Sequence, residues 1–80
     1  MVTPEYVQQS IVANLPCEHC AVQGDGAHFE AVIVSAAFAG LRTVQQHQKV
    51  YAALGDKMRE EIHALSMKTY TPEQWKQLRG

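Results

Sequence analysis

The sequence predicts an α+β fold with elements in the order α-β-β-α-α-β-α, a mixed three-stranded sheet packed with helices. Three observations predict it. Thr3-Pro4 and Thr71-Pro72 are cap-plus-proline signals that open helices towards either end of the chain. Gly24-Asp25-Gly26 is a turn signal between two short β-rich runs. From Leu41 onward the apolar residues recur at steps of three and four.

Taken in order, Thr3 caps and Pro4 opens the first helix, where proline's missing N–H is no loss, and Val7, Ile11 and Leu15 share one face. Asn14 to Pro16 ends it. Glu18 to Gln23 alternates weakly, and His28 to Ser35 is rich in β-formers around Val32-Ile33-Val34, giving a hairpin whose second strand is central. Val44, His47, Tyr51, Leu54 and Met58 then mark one helical stripe, divided by Gly55 into two helical pieces. Ile62 to Thr69 contains no Gly or Pro and reads as a strand opening on His63. Thr71 caps a last helix with Pro72 at its first position, Glu73 and Gln74 supplying acceptors in the first turn and Trp75 anchoring it. Tyr51, Leu54, Trp75, Phe29 and Phe38 are assigned to the core, with Met58 and Met67 filling gaps.

A helical connection of about 25 residues joins the second and third strands, which makes them parallel through a right-handed crossover. His28 and His63 then begin two parallel strands at one end of the sheet. If the strands are neighbours their backbones lie about 5 Å apart, and about 10 Å if one strand intervenes, so both imidazoles can approach one ligand. Two imidazoles are an incomplete metal site, because zinc normally takes four ligands and an iron–sulfur cluster four thiolates. The bland alternative makes His63 a strand-entry residue hydrogen-bonded to a helix end and His28 merely a polar hairpin residue; as a ligand, His28 is expected to be the looser of the two, because the Gly24-Asp25-Gly26 turn before it has backbone freedom.

Eighty residues bound the chain to one domain, 1–80, with one modest core, since a chain of this size buries about 60% of its unfolded surface. The apolar fraction is 46% and the charged fraction 19%, without a run of 18 apolar residues or a charged-then-apolar leader. The expectation is a cytoplasmic protein with no membrane segment. Seven basic against eight acidic residues give a net charge of −1, so nucleic-acid binding needs a local patch; Lys57, Arg59, Lys68, Lys76 and Arg79 in the C-terminal half are its candidates. No nucleophile–base pair or carboxylate dyad has an informative spacing, which argues against an enzyme.

Cys17-Glu18-His19-Cys20 has C-x-x-C spacing, but no second pair completes a zinc site. It leaves a helix and enters a strand, whereas a thioredoxin-type motif opens a helix whose dipole stabilises the thiolate. Incidental, reduced cysteines are the expectation, against adventitious metal binding or a local redox role.

His63-Ala64-Leu65 followed by Lys68-Thr69-Tyr70-Thr71-Pro72-Glu73-Gln74-Trp75, together with Phe38-Ala39-Gly40 and Val50-Tyr51, resembles the motifs of the BolA-like family over residues 22 to 77, with the closest likeness to its IbaG-type branch. The resemblance implies a three-stranded sheet similar to the type II KH fold. It also implies an adaptor that pairs with a monothiol glutaredoxin and shares a [2Fe–2S] cluster, with glutathione on the partner side, and a chain that is a monomer or weak homodimer alone. In that pattern His63 matches the main ligand and His28 the second, while His47 matches a helical histidine and is read as a core or half-buried structural residue rather than a ligand. Gln46 stands where the family more often carries Arg, which puts any basic contact there in doubt. C-x-x-C is no part of the pattern. The runner-up function is a nucleic-acid-binding transcriptional regulator, although the G-x-x-G loop of KH domains is missing.

Overall fold

In the computed structural model, which describes residues 2–79, the chain runs α1 (Pro4–Asn14), β1 (His19–Gly24), β2 (Phe29–Val34), α2 (Thr43–Leu54), β3 (Leu65–Tyr70) and α3 (Pro72–Arg79). Short 3-10 turns occupy Ala36–Phe38, Gly55–Met58 and Ile62–Ala64. The predicted order is observed, with the helical piece after Gly55 reduced to a single 3-10 turn.

Both caps form. Thr3 Oγ1 accepts from the Tyr6 N–H at 3.1 Å, leaving α1 to bury Val7, Ser10 and Ile11. At α3 the Gln74 N–H donates to Thr71 Oγ1 (3.2 Å) and the Thr71 N–H to Gln74 Oε1 (2.9 Å), a reciprocal capping box.

β2 lies between the other strands, antiparallel to β1 and parallel to β3. Its inward side chains Phe29, Ala31 and Ile33 meet Val7, Ile11 and Leu15 from the α1 segment and Val50, Ala53, Leu54 and Met58 from the α2 segment, with Phe38 and Leu65 completing the core. The hairpin is tight at its tip: a Cβ on Gly24 would collide with the His28 carbonyl oxygen, so only glycine fits.

The stripe predicted for α2 is rotated. Gln46, Val50, Ala53 and Leu54 face inward, whereas Val44 is 61% exposed and Tyr51 38% exposed, so Tyr51 does not belong to the core. A polar residue at a core position hides the true phase from an apolar count. Gln46 Nε2 donates to the carbonyls of Leu41 (3.0 Å) and Phe38 (3.4 Å), and its Oε1 accepts from the Thr69 hydroxyl (2.7 Å). That amide ties α2 to the Phe38 turn and to β3 without leaving a buried polar atom unpaired. Gly55, with φ of +59°, ends the helix as predicted, its N–H donating to the Tyr51 carbonyl.

The third strand starts later than predicted. Ile62–Ala64 is a 3-10 turn, the Ala64 N–H bonding the Glu61 carbonyl at 2.9 Å, and His63 sits in it rather than on the strand. Pairing begins only where β2 offers a partner, at Phe29 opposite Leu65, and ends at Val34 opposite Tyr70. The six-residue ladder of β2 sets the length of β3. Similarly, His28 stands one residue before β2, and β1 runs from His19 rather than Glu18.

Candidate functional site

One face of the sheet is covered by α1 and α2; the other carries the chemistry. Alternation turns His19, Ala21 and Gln23 of β1, Glu30, Val32 and Val34 of β2, and Ser66, Lys68 and Tyr70 of β3 away from the core. His19, Val34 and Tyr70 form one row across the ladder. Trp75 stacks on His19 with ring centroids 5.1 Å apart and lies 5.6 Å from the Tyr70 ring, while the Arg79 guanidinium stands 5.8 Å from the Trp75 centroid. Val34 is fully buried outside the main core because this aromatic group covers it. Trp75 is therefore the predicted anchor of α3 but not a core residue: it is half-buried, and α3 buries none of its own side chains. Beyond this lid the face is open and forms a shallow concavity around Gln23, Glu30, Val32, Ser66 and Lys68.

At the other end of the sheet β2 and β3 both begin, as neighbours, so that His28 and His63 stand just before the starts of strands about 4.8 Å apart. Both residues are exposed. The His28 backbone is not loose, contrary to the expectation for a residue after a glycine-rich turn. Asp25 Oδ1 accepts from the N–H groups of Ala27 (2.9 Å) and His28 (3.0 Å), and the Asp25 N–H donates to the His28 carbonyl (3.2 Å). These backbone bonds, Ala27 first, hold the Asp25 carboxyl below its ordinary value. The His28 ring leans across to β3, its Nε2 lying 3.5 Å from Ser66 Oγ. That contact is at the outer limit of hydrogen bonding and leaves the nitrogen weakly held.

Two exposed imidazoles thus stand at the start of neighbouring strands. Among the described residues no group of three or more His, Cys, Asp or Glu side chains lies close enough to hold a metal ion. His47 is half-buried, as its position between the two faces of α2 dictates.

The basic residues do not gather in one place. Lys57 lies in the Gly55–Met58 turn and Arg59 directly after it, Lys68 is on the open face of β3, and Lys76 and Arg79 line a groove on α3 together with Glu18 and Glu73. Cys17 and Cys20 are half-buried free thiols at the junction of α1 and β1, where Cys17 Sγ donates to the Leu15 carbonyl at 3.2 Å. Burial raises both thiols above the ordinary range, and Cys20, with Cys17 beside it, is pushed up to about 12.

His19, Asp25 and Gln46 escaped sequence reasoning as partners in this arrangement. Outward alternation of His19 and the Asx-turn propensity of Asp25 were the available signals; the burial of Gln46 had none.

A sequence model of the BolA family, described as BolA-like protein, matches residues 4–74. A Haemophilus influenzae protein described as "DNA-binding transcriptional regulator BolA" is 45% identical over 58 residues, an alignment spanning 72% of this chain and 56% of that protein. The Escherichia coli acid stress protein IbaG is 39% identical over 69 residues, covering 84% of this chain and 82% of its own length. The structure of a bolA protein homologue from Coxiella burnetii superposes with a TM-score of 0.84 at 43% identity, over 95% of this chain and 99% of that one. Among the described residues no helix is long and apolar enough to cross a membrane. With the family model spanning residues 4–74 and the fold shared with the Coxiella burnetii homologue over 95% of this sequence, the chain belongs to the BolA-like family.

Proposed function

We propose that this protein is a non-enzymatic adaptor, acting in the cytoplasm, that binds a monothiol glutaredoxin and shares a [2Fe–2S] cluster with it, in iron–sulfur cluster trafficking or iron and redox regulation. The observation that carries the reading is the pair of exposed imidazoles, His63 and His28, at the start of two neighbouring parallel strands. The donor set fits such a cluster as a half-site. [2Fe–2S] centres take four ligands, and two histidines can replace two thiolates on one iron. His63 and His28 would supply the nitrogen ligands, and the partner its cysteine and a bound glutathione. When bound, the cluster supplies an iron centre that can be handed on or sensed. This chain's own contribution is to hold two imidazoles open to a partner, one in the Glu61–Ala64 turn and one behind the Asp25 turn. Protonation removes the lone pair each nitrogen needs, so sharing weakens on acidification.

The test is to mix the protein with a cluster-loaded monothiol glutaredoxin. A heterodimer on size exclusion with altered visible absorption and circular dichroism supports the reading, and unchanged spectra with separate elution contradict it.

The Haemophilus influenzae relative, a DNA-binding transcriptional regulator, favours a second reading, a nucleic-acid-binding regulator using Lys57, Arg59, Lys68, Lys76 and Arg79. Five charges neutralising four or five phosphates give a log–log salt slope of about −4 and weak binding at physiological ionic strength. A sub-micromolar, sequence-selective complex at about 150 mM salt, where such binding is heavily screened, would promote this reading over the first.

A further inference from the structure

β1 stands at one edge of the sheet and, among the described residues, pairs with β2 alone. The Asp25 N–H donates to the His28 carbonyl in the register of the ladder, so by alternation His19, Ala21 and Gln23 bond β2. The backbone groups of Cys20, Val22 and Gly24 therefore point away from the sheet. One of them is met from within the chain: the Cys20 carbonyl accepts from Gln8 Nε2 of α1 at 2.7 Å. Val22 and Gly24 have no such partner among the described residues. Exposed edges are normally blunted by charge, proline or a covering segment. His19–Gly24 contains no Lys, Arg, Asp, Glu or Pro, whereas β3 at the other edge carries Lys68. Val12, one turn along α1 from Gln8 and 46% exposed, adds an apolar overhang on the same side.

We propose that this edge is an interface with a second copy of the chain, the two β1 strands running antiparallel about a two-fold axis at Val22, and that Gln8 holds it closed. With the axis there, Val22 faces its own counterpart and Cys20 faces Gly24, so each outward N–H meets an outward carbonyl. On the outer face Ala21 falls opposite Gln23. His19 falls opposite Asp25, an imidazole facing a carboxylate at both ends of the pairing, and no like charges meet. This match of the strand to itself selects a second copy as the occupant. The Gln8 amide takes the place of the incoming N–H on the Cys20 carbonyl and must swing out before the second strand can pair. Six residues of edge pairing bury less than the roughly 1,200 Å² at which standard interfaces begin, so the dimer is weak and forms at high concentration.

The test is sedimentation velocity on the full chain from micromolar to millimolar concentration, with amide hydrogen exchange read by NMR. The wild type should move towards dimer at the millimolar end, where the Val22 and Gly24 amides should exchange more slowly. Gln8→Ala should dimerise about tenfold more tightly, because two Gln8–Cys20 bonds no longer have to break at each pairing. Gln23→Lys, a lysine of the kind that protects natural edges, should abolish the dimer alone and in combination with Gln8→Ala. Gln8 and Gln23 are both exposed, so neither change touches the core. In a mixture of labelled and unlabelled chains, the Ala21 Hα of one copy should show a nuclear Overhauser contact to the Gln23 Hα of the other. A Gln8→Ala protein that stays monomeric at millimolar concentration would overturn the proposal and leave the edge to a strand of another protein. A dimer that survives Gln23→Lys would overturn it by placing the interface elsewhere. Should a variant fail to fold, unslowed Val22 and Gly24 amides in the concentrated wild type overturn it equally.

Discussion

The His19 and Trp75 rings stack 5.1 Å apart, tilted by 17°, and this contact closes the aromatic lid over Val34 that seats α3 on the outer face of the sheet. α3 buries no side chain of its own, so its attachment rests on Trp75 and on the Thr71–Gln74 capping box.

Trp75→Ala should therefore release α3 and uncover Val34. Full burial of a tryptophan is worth about 3–5 kcal/mol on truncation, and a half-buried one about 2. His19→Ala should cost about 1 kcal/mol through the lost stacking alone. Urea unfolding followed by far-UV circular dichroism measures both. Equal, negligible losses would mean that α3 is held by something else.

Gln46→Leu should destabilise the fold by about 2–3 kcal/mol, because the Leu41 and Phe38 carbonyls and the Thr69 hydroxyl lose their buried partner. Adding Thr69→Val should recover part of that loss, since removing both members of a buried pair costs less than removing one. Strict additivity of the two substitutions would contradict the coupling.

The strongest fold signals in the sequence are local ones. Thr3-Pro4, Thr71-Pro72, Gly24-Asp25-Gly26 and Gly55 act through their own backbone and a neighbour or two, and each appears where the residues place it. The rotation of α2 and the late start of β3 depend on distant partners: the Gln46 amide is tolerated inside because Thr69 and two carbonyls meet it, and β3 begins where β2 supplies Phe29. For the same reason the common edge of His28 and His63 was legible from the crossover rule, whereas the His19–Trp75 stack, joining residues from opposite ends of the chain, was not.

Cys20 ties stability to alkaline pH. Its thiol is raised from 9.0 to about 12, so between those values the native chain keeps a proton that the unfolded chain has released. The contribution is complete below pH 9.0 and lost as pH rises towards about 12. The Cys17→Ser, Cys20→Ser double variant should lose this alkaline dependence and about 1–2 kcal/mol of stability at neutral pH, yet share the cluster as well as the wild type. Failure to share would move the metal site to the α1–β1 junction.

Asp25 acts at the acid end. Its carboxyl is held below 3.8 by the Ala27 and His28 N–H groups, so the turn is fully formed above that value and loosens as pH falls through the lower folded value. The Ala27 and His28 amide resonances should report this transition, and Asp25→Ala should show the loosened state already at neutral pH. Unmoved amides in the variant would show that Gly24 and the strand pairing alone fix the turn.

The central claim is that the imidazoles at the common start of β2 and β3 are ligands, with His63 dominant. Both residues are exposed and neither side chain supports the core, so replacing either should leave the far-UV spectrum unchanged. The most direct measurement is the visible circular dichroism of a cluster-loaded monothiol glutaredoxin mixed in turn with the wild type, His63→Ala and His28→Ala. The spectral change is expected to disappear with His63→Ala, and to weaken with His28→Ala while the heterodimer persists. A folded His63→Ala protein that gives the wild-type spectrum would show that His63 is structural and that this edge of the sheet is not the metal site.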